Sequence, residues 1–217
     1  MEQRRDSATA YIILADGFET IEALTPLDVL RRCGVEVTTI SLNKTRAVRS
    51  SHGVTVEADA TMEEFMHNCN CCASAIGTGN AGTSSTAGSS TTAGSCLRQA
   101  LVLSGGYPGY KNLCESAEVG ALITQFHKEG KLLCAICGAP TALKANQICR
   151  GAAITCHTSV KEELSDYYSI LSSAVVKYMN IITGMGAGRS LDFAFAIAES
   201  LTSKEKVEEI KAKMEII

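Results

Sequence analysis

The stretch Leu132-Leu133-Cys134-Ala135-Ile136-Cys137-Gly138-Ala139-Pro140 is where residue types and spacing point most directly to chemistry. An apolar strand runs straight into Cys137. Small residues follow, then a proline suited to the first turn of a helix. The pattern predicts a strand–nucleophile–helix elbow of the kind hydrolases use. A thiol there stands at a sheet edge beside a helix N-terminus. The helix dipole and free backbone N–H groups favour thiolate, so the thiol pKa is expected to fall below its ordinary value of about 8.5. The alternative is a core cysteine at a strand end.

Three further segments carry groups that such a nucleophile needs. Ser104-Gly105-Gly106 follows another apolar strand. A glycine pair lets backbone approach a substrate closely and aims N–H groups at a developing oxyanion, or else it is a plain turn. Asp16-Gly17-Phe18-Glu19-Thr20-Ile21-Glu22 follows the first strand. A partly buried carboxyl beside a thiolate, such as Glu22, stays protonated and donates to sulfur or shuttles protons. The alternative is acids complementing a helix N-terminus, a role Glu19 suits. His157 follows a strand ending at Cys156 and is placed to face the same edge, though a lone histidine is as readily structural.

Other motifs fail on context. Gly77-Thr78-Gly79-Asn80-Ala81-Gly82 fits G-x-G-x-x-G, but it lies in low-complexity sequence without a strand before it or a helix after it. The run Gly184-Met185-Gly186-Ala187-Gly188 precedes a helix but lacks an acidic ribose partner, so it reads as close packing. His67, Cys69, Cys71, Cys72 and Cys96 suggest a soft-metal cluster, yet C-x-C-C is not a tetrahedral-site spacing. These cysteines read as exposed thiols open to oxidation, and no metal or cofactor is expected.

The elements that must position these residues are legible in the pattern. Short apolar strands are predicted at 11–15, 35–42, 100–103, 131–136, 154–156 and 181–183, with a small edge strand at 54–56. Amphipathic helices are predicted at 21–33, 118–129, 139–145, 191–201 and 204–214. Strands alternating with helices imply βαβ units and a mostly parallel sheet covered on both faces. Ligands of such sheets bind beyond the carboxyl ends of the strands, at the loops 16–22, 104–110 and 137–140. Residues 73–95 hold only Ala, Ser, Thr and Gly apart from Ile76 and Asn80, and they read as a flexible surface excursion inside one domain spanning 1–217.

Composition narrows the classes. The net charge is −3 and aromatics make up 5% with no tryptophan, which argues against a basic nucleic-acid surface or a base-stacking platform. No apolar run reaches the roughly 18 residues of a membrane span. The charged start is not followed by an apolar core, so no secretory signal is expected, and the ten cysteines read as reduced thiols in the cytoplasm.

Taken in order, several motifs resemble the ThiJ/PfpI superfamily, and within it the Parkinson disease protein 7 (glyoxalase/deglycase) branch. They are the loop Asp16–Glu22, Asp28-Val29-Leu30-Arg31-Arg32, Leu103-Ser104-Gly105-Gly106, Ala135-Ile136-Cys137-Gly138-Ala139-Pro140-Thr141-Ala142-Leu143, Ile154-Thr155-Cys156-His157 and Leu191-Asp192-Phe193-Ala194. The resemblance spans about 10–214, without the excursion at about 68–96. It implies a flavodoxin-like α/β sandwich, usually a homodimer. It places Cys137 at the family's reactive, oxidation-prone cysteine and Glu22 at the glutamate that contacts that sulfur. Glu19 falls at a second loop acid, and His157 at a histidine near the pocket. The N–H groups of the Gly105-Gly106 turn and of Gly138 take the oxyanion role, and Arg32 lies near the dimer interface. The chain departs from the pattern at Ser104 (usually Pro), at His52 (often Arg) and at Ala187 within a usual Gly-Pro-Gly.

The resemblance implies a cofactor-independent enzyme, a glutathione-independent glyoxalase or protein deglycase. It would convert methylglyoxal-like α-oxoaldehydes, or early glycation adducts, to hydroxy acids such as lactate through a Cys137 hemithioacetal, with Glu22 and His157 moving protons. The second reading is an oxidative-stress sensor or chaperone whose Cys137 is oxidised to sulfinate, held by Glu22. A peptidase is disfavoured, because such relatives need a histidine beside the cysteine and residue 138 is glycine.

Overall fold

A computed structural model describes residues 8–68 and 98–216. The elements in chain order are β1 (Thr9–Leu14), α1 (Thr20–Arg32), β2 (Glu36–Ser41), β3 (Ala47–Arg49), β4 (Thr55–Glu57), β5 (Ala60–Thr61), α2 (Met62–Asn68), β6 (Gln99–Leu103), α3 (Gly109–Glu115), α4 (Ala117–Lys128), β7 (Leu132–Ile136), α5 (Pro140–Ala145), β8 (Ala153–Ile154), α6 (Lys161–Ser165), β9 (Ser169–Ile170), β10 (Val175–Tyr178), β11 (Ile181–Gly184), α7 (Ser190–Leu201) and α8 (Lys204–Lys213).

Seven strands form one sheet in the order β10-β11-β7-β6-β1-β2-β5. Every neighbouring pair is parallel except β10 with β11. Side-chain alternation divides the strands between two cores. Ile12, Leu14, Val102, Cys134, Ile136 and Ile182 pack on one face with Val29 and Leu30 of α1 and Phe193 and Ile197 of α7. Ile13, Ile40, Leu101, Leu103, Leu133 and Ala135 pack on the other with Leu122 and Phe126 of α4 and Leu143 of α5. Each of these side chains is buried, and each contributes on the order of 1.5–3 kcal/mol if aliphatic or aromatic and large. The fold is therefore the helix-covered, mostly parallel α/β sandwich that the alternation predicts.

Two predicted strands join other partners. Of residues 54–56, Thr55 and Val56 fall in β4, which pairs antiparallel with β3 in a separate hairpin rather than edging the main sheet. Of 154–156, only Ile154 is extended in a strand, in the two-stranded β8–β9 unit. The 77–82 glycine run, the excursion at 73–95 and Cys69, Cys71, Cys72 and Cys96 lie outside the described residues. Among the described residues, no helix is long and apolar enough to cross a membrane.

The order places a topological switch at β1. The chain leaves β1 towards β2 on one side and returns to β6 on the other. The loops after β1 and β6 flank that crevice at the carboxyl ends of the strands, where α/β sheets bind ligands.

Candidate active site

Cys137 is the first residue beyond β7, and its φ is +65°, in the left-handed region. A non-glycine residue there costs on the order of 1–3 kcal/mol unless its surroundings hold it. Two backbone contacts do so. The Cys137 N–H donates to the Gly184 carbonyl at 2.9 Å, and the Cys137 carbonyl accepts from the His157 N–H at 2.9 Å. The expected elbow is thus formed, with Pro140 opening α5 behind it.

Glu22 reaches the same point from the first turn of α1. Glu19 caps that helix, its Oε2 accepting from the Glu22 N–H at 2.7 Å. The Glu19 N–H donates to the Gly105 carbonyl at 2.9 Å. In return, the Gly105 N–H donates to Glu22 Oε2 at 2.9 Å. The β1 and β6 loops are therefore laced together under the carboxyl. Gly105 is packed between the two reacting side chains. A Cβ there would lie 2.6 Å from both Cys137 Cβ and Glu22 Oε2, and 3.0 Å from Cys137 Sγ. Gly106 has φ +89°, and a Cβ on it would strike the Glu19 nitrogen at 2.3 Å.

The electrostatics follow from burial. Glu22 is fully shielded from solvent. Its carboxyl is raised from 4.5 to about 7: burial pushes it up most, the contact with Cys137 pulls it down, the charge of Glu19 pushes it up, and the amides of Gly105 and Ala187 pull it down. Glu22 Oε1 is buried without a well-formed hydrogen-bond partner among the described residues. Catalytic hydrogen bonds often tighten only when substrate binds.

The Cys137 thiol departs from its expected direction. It is pushed up to about 12: burial raises it most, the charge and hydrogen bond of Glu22 add to that, and the N–H groups of Gly106 and Gly138 pull the other way. The dipole of α5 does not prevail, because that helix has only six residues and the sulfur is substantially buried beside an acid. Those two amides nonetheless bear on the sulfur, where they favour thiolate. Activation therefore depends on where the proton of Glu22 sits. With Glu22 neutral, its repulsion is gone and its O–H is a donor to sulfur.

The remaining predicted residues sit as follows. His157 brings its backbone to Cys137, but its exposed ring turns to Ser159: Nδ1 lies 2.8 Å from the Ser159 hydroxyl and accepts from the Ser159 N–H at 3.2 Å. Glu19 lies at the rim, its Oε1 3.7 Å from His52 Nδ1. Arg32 is exposed and pairs with Asp28 within α1 at 2.7 Å.

Sequence reasoning missed several contributors. The Gly184 carbonyl and the Ala187 amide come from a run read only as packing. The ring of Tyr110 fills the space that a Cβ on Gly138 would take, 2.7 Å from Tyr110 Cδ1. Tyr107 is largely exposed beside Gly106, with Lys111 5.6 Å over its ring. No sequence spacing marks these contacts, which arise from chain folding alone.

Comparison with known proteins matches residues 8–200 to the DJ-1/PfpI family model. The Parkinson disease protein 7 homolog of Danio rerio is 31% identical over 207 residues, 94% of this chain and 95% of that one. The glutathione-independent glyoxalase DJR-1.2 of Caenorhabditis elegans is 36% identical over 107 residues, 49% of this chain and 56% of that one. The crystal structure of Drosophila melanogaster DJ-1beta superposes with a TM-score of 0.81 at 32% identity, covering 97% of this chain and 99% of that one.

Proposed function

The chain belongs to the DJ-1/PfpI family, and from that premise we propose that it is a cofactor-independent enzyme acting on small α-oxoaldehydes, with methylglyoxal as the simplest substrate. The observation that carries the proposal is the convergence of a thiol, a carboxyl with pKa about 7 and backbone N–H groups at one sheet edge. The name of the worm relative, a glutathione-independent glyoxalase, supports the same reading.

The Cys137 thiolate adds to the aldehyde carbon, and the carbonyl oxygen takes a proton, giving a hemithioacetal. The N–H groups of Gly106 and Gly138 face the sulfur and stabilise the adjacent oxygen charge during addition. Glu22 then removes the proton from that carbon. The resulting enediol is reprotonated at the neighbouring carbon by the same carboxyl, which leaves a thioester. Water cleaves the thioester and releases lactate and free Cys137. The sum is methylglyoxal plus water to lactate: one carbon is oxidised and its neighbour reduced, so no outside oxidant enters. A buried carboxyl titrating near neutrality suits both halves of the proton transfer, worth roughly 10²–10⁴ in rate. The ring of His157 is held by Ser159, so we assign the proton transfer to Glu22 and give His157 the role of fixing the elbow through its backbone. Early glycation adducts enter the same path through the free aldehyde in equilibrium with them.

We further propose a homodimer formed across α1, the turn before β4 and α7. Exposed Ile21, Val54 and Leu191 support that surface, as does the packing of α1 on α7.

The test is lactate formation from methylglyoxal without glutathione by wild type and Cys137→Ser. Turnover by wild type alone supports the enzyme. No turnover by the reduced wild type, with ready oxidation of Cys137 to sulfinate, would replace it with the sensor.

A further inference from the structure

Behind the elbow lies a hydrogen-bond chain that the proposed reaction does not use. Thr141 is buried in the first turn of α5. Its hydroxyl donates to the Gly138 carbonyl at 2.7 Å, and its backbone N–H donates to the same oxygen at 3.2 Å. The Cys114 sulfur, near the end of α3, lies 3.2 Å from Thr141 Oγ1. A hydroxyl has one proton, and a carbonyl only accepts. The Thr141 proton therefore points to Gly138, and at the other contact Cys114 must be the donor. The order is Cys114 S–H to Thr141 O–H to Gly138 C=O.

The far side of Gly138 meets the reactive sulfur. Its N–H is one of the two amides that favour thiolate at Cys137. The ring of Tyr110 blocks movement of Gly138 in one direction. The N–H sits in the Cys137–Gly138 peptide and the clamped carbonyl in the next one, so holding the carbonyl limits rotation at Gly138, beside a residue with a left-handed φ that would relax if released.

We propose that Thr141 is a positioning residue for the nucleophile. Backed by the Cys114 donor, it clamps the Gly138 carbonyl so that the Gly138 amide stays aimed at the Cys137 sulfur. The inference deepens the proposed function, because it concerns the same thiol, but it is read through thiol chemistry rather than turnover.

The experiment follows alkylation of the Cys137 peptide by iodoacetamide, resolved by mass spectrometry, across pH. Thr141→Val keeps the shape and removes the donor. The expected result is alkylation about tenfold slower at neutral pH, which corresponds to an apparent thiol pKa about one unit higher. Thr141→Ser restores the wild-type profile. Cys114→Ala slows the reaction about twofold to threefold and Cys114→Ser does not, because only the latter keeps a donor. A Thr141→Val protein with the wild-type pH profile overturns the proposal, even if it melts earlier. Should that variant fail to fold, equal rates in Cys114→Ala and Cys114→Ser overturn it instead. Wild type that forms no lactate, while Thr141→Val still slows alkylation, rejects the proposed function and leaves the clamp standing.

Discussion

Glu22 comes from the first helix and Cys137 from the elbow after the seventh strand, yet each changes the other's hold on a proton. Gly105 stands between them, its N–H on the Glu22 carboxyl and its missing side chain leaving the space they share. The two groups titrate as a pair, with one proton that either can carry.

The pair leaves a signature in stability. Glu22 has a folded pKa of about 7 against an ordinary 4.5, so the folded chain holds that proton more tightly than the unfolded one. The stabilisation is fully present below 4.5 and is lost as pH rises through about 7, amounting to about 3 kcal/mol. Glu22→Gln cannot titrate. Urea unfolding of both proteins across this range should show wild type losing ground to the variant as pH rises. Parallel curves would contradict the raised pKa.

Gly105→Ala tests the convergence by filling it. Its Cβ would fall inside contact distance of both Cys137 and Glu22. Alkylation of Cys137 should drop by at least about 100-fold, the scale of losing an aligned site donor. Circular dichroism should show the sheet retained. Wild-type reactivity in that variant would mean the three groups do not meet as described.

Association is tested away from the chemistry. Leu191→Glu places a charge on the exposed apolar surface of α7. Sedimentation should shift from the mass of two chains to that of one, and an unchanged mass would reject that surface as the interface.

What the sequence revealed follows physical lines. The strand running into Cys137-Gly138-Ala139-Pro140 carries local signals, and β7, the elbow and α5 stand where those signals put them. The helix after Asp16–Glu22 was legible for the same reason, and both readings of its acids hold: Glu19 caps the helix while Glu22 turns inward. The proton affinity of Cys137 was not legible. Local pattern shows a helix start, but the dominant influences are burial and an acid from far away in the chain. The direction of the His157 ring was settled by Ser159, a contact no periodicity encodes. The edge strand β10 escaped because half its residues are exposed and its pairing with β11 is antiparallel. α3 escaped because it opens on Tyr107-Pro108-Gly109, which reads as a turn.

The most direct measurement is the pH profile of Cys137 alkylation in wild type and Glu22→Gln. Wild type should show a first step through about pH 7, as the carboxyl–thiol pair loses its first proton, and a second rise towards pH 12 as it loses the other. In Glu22→Gln that step should vanish, leaving one rise above the ordinary thiol value of about 8.5 because the sulfur remains buried. If both proteins instead follow one curve, that of a free cysteine, then no carboxyl attends the sulfur and the account of this site is wrong.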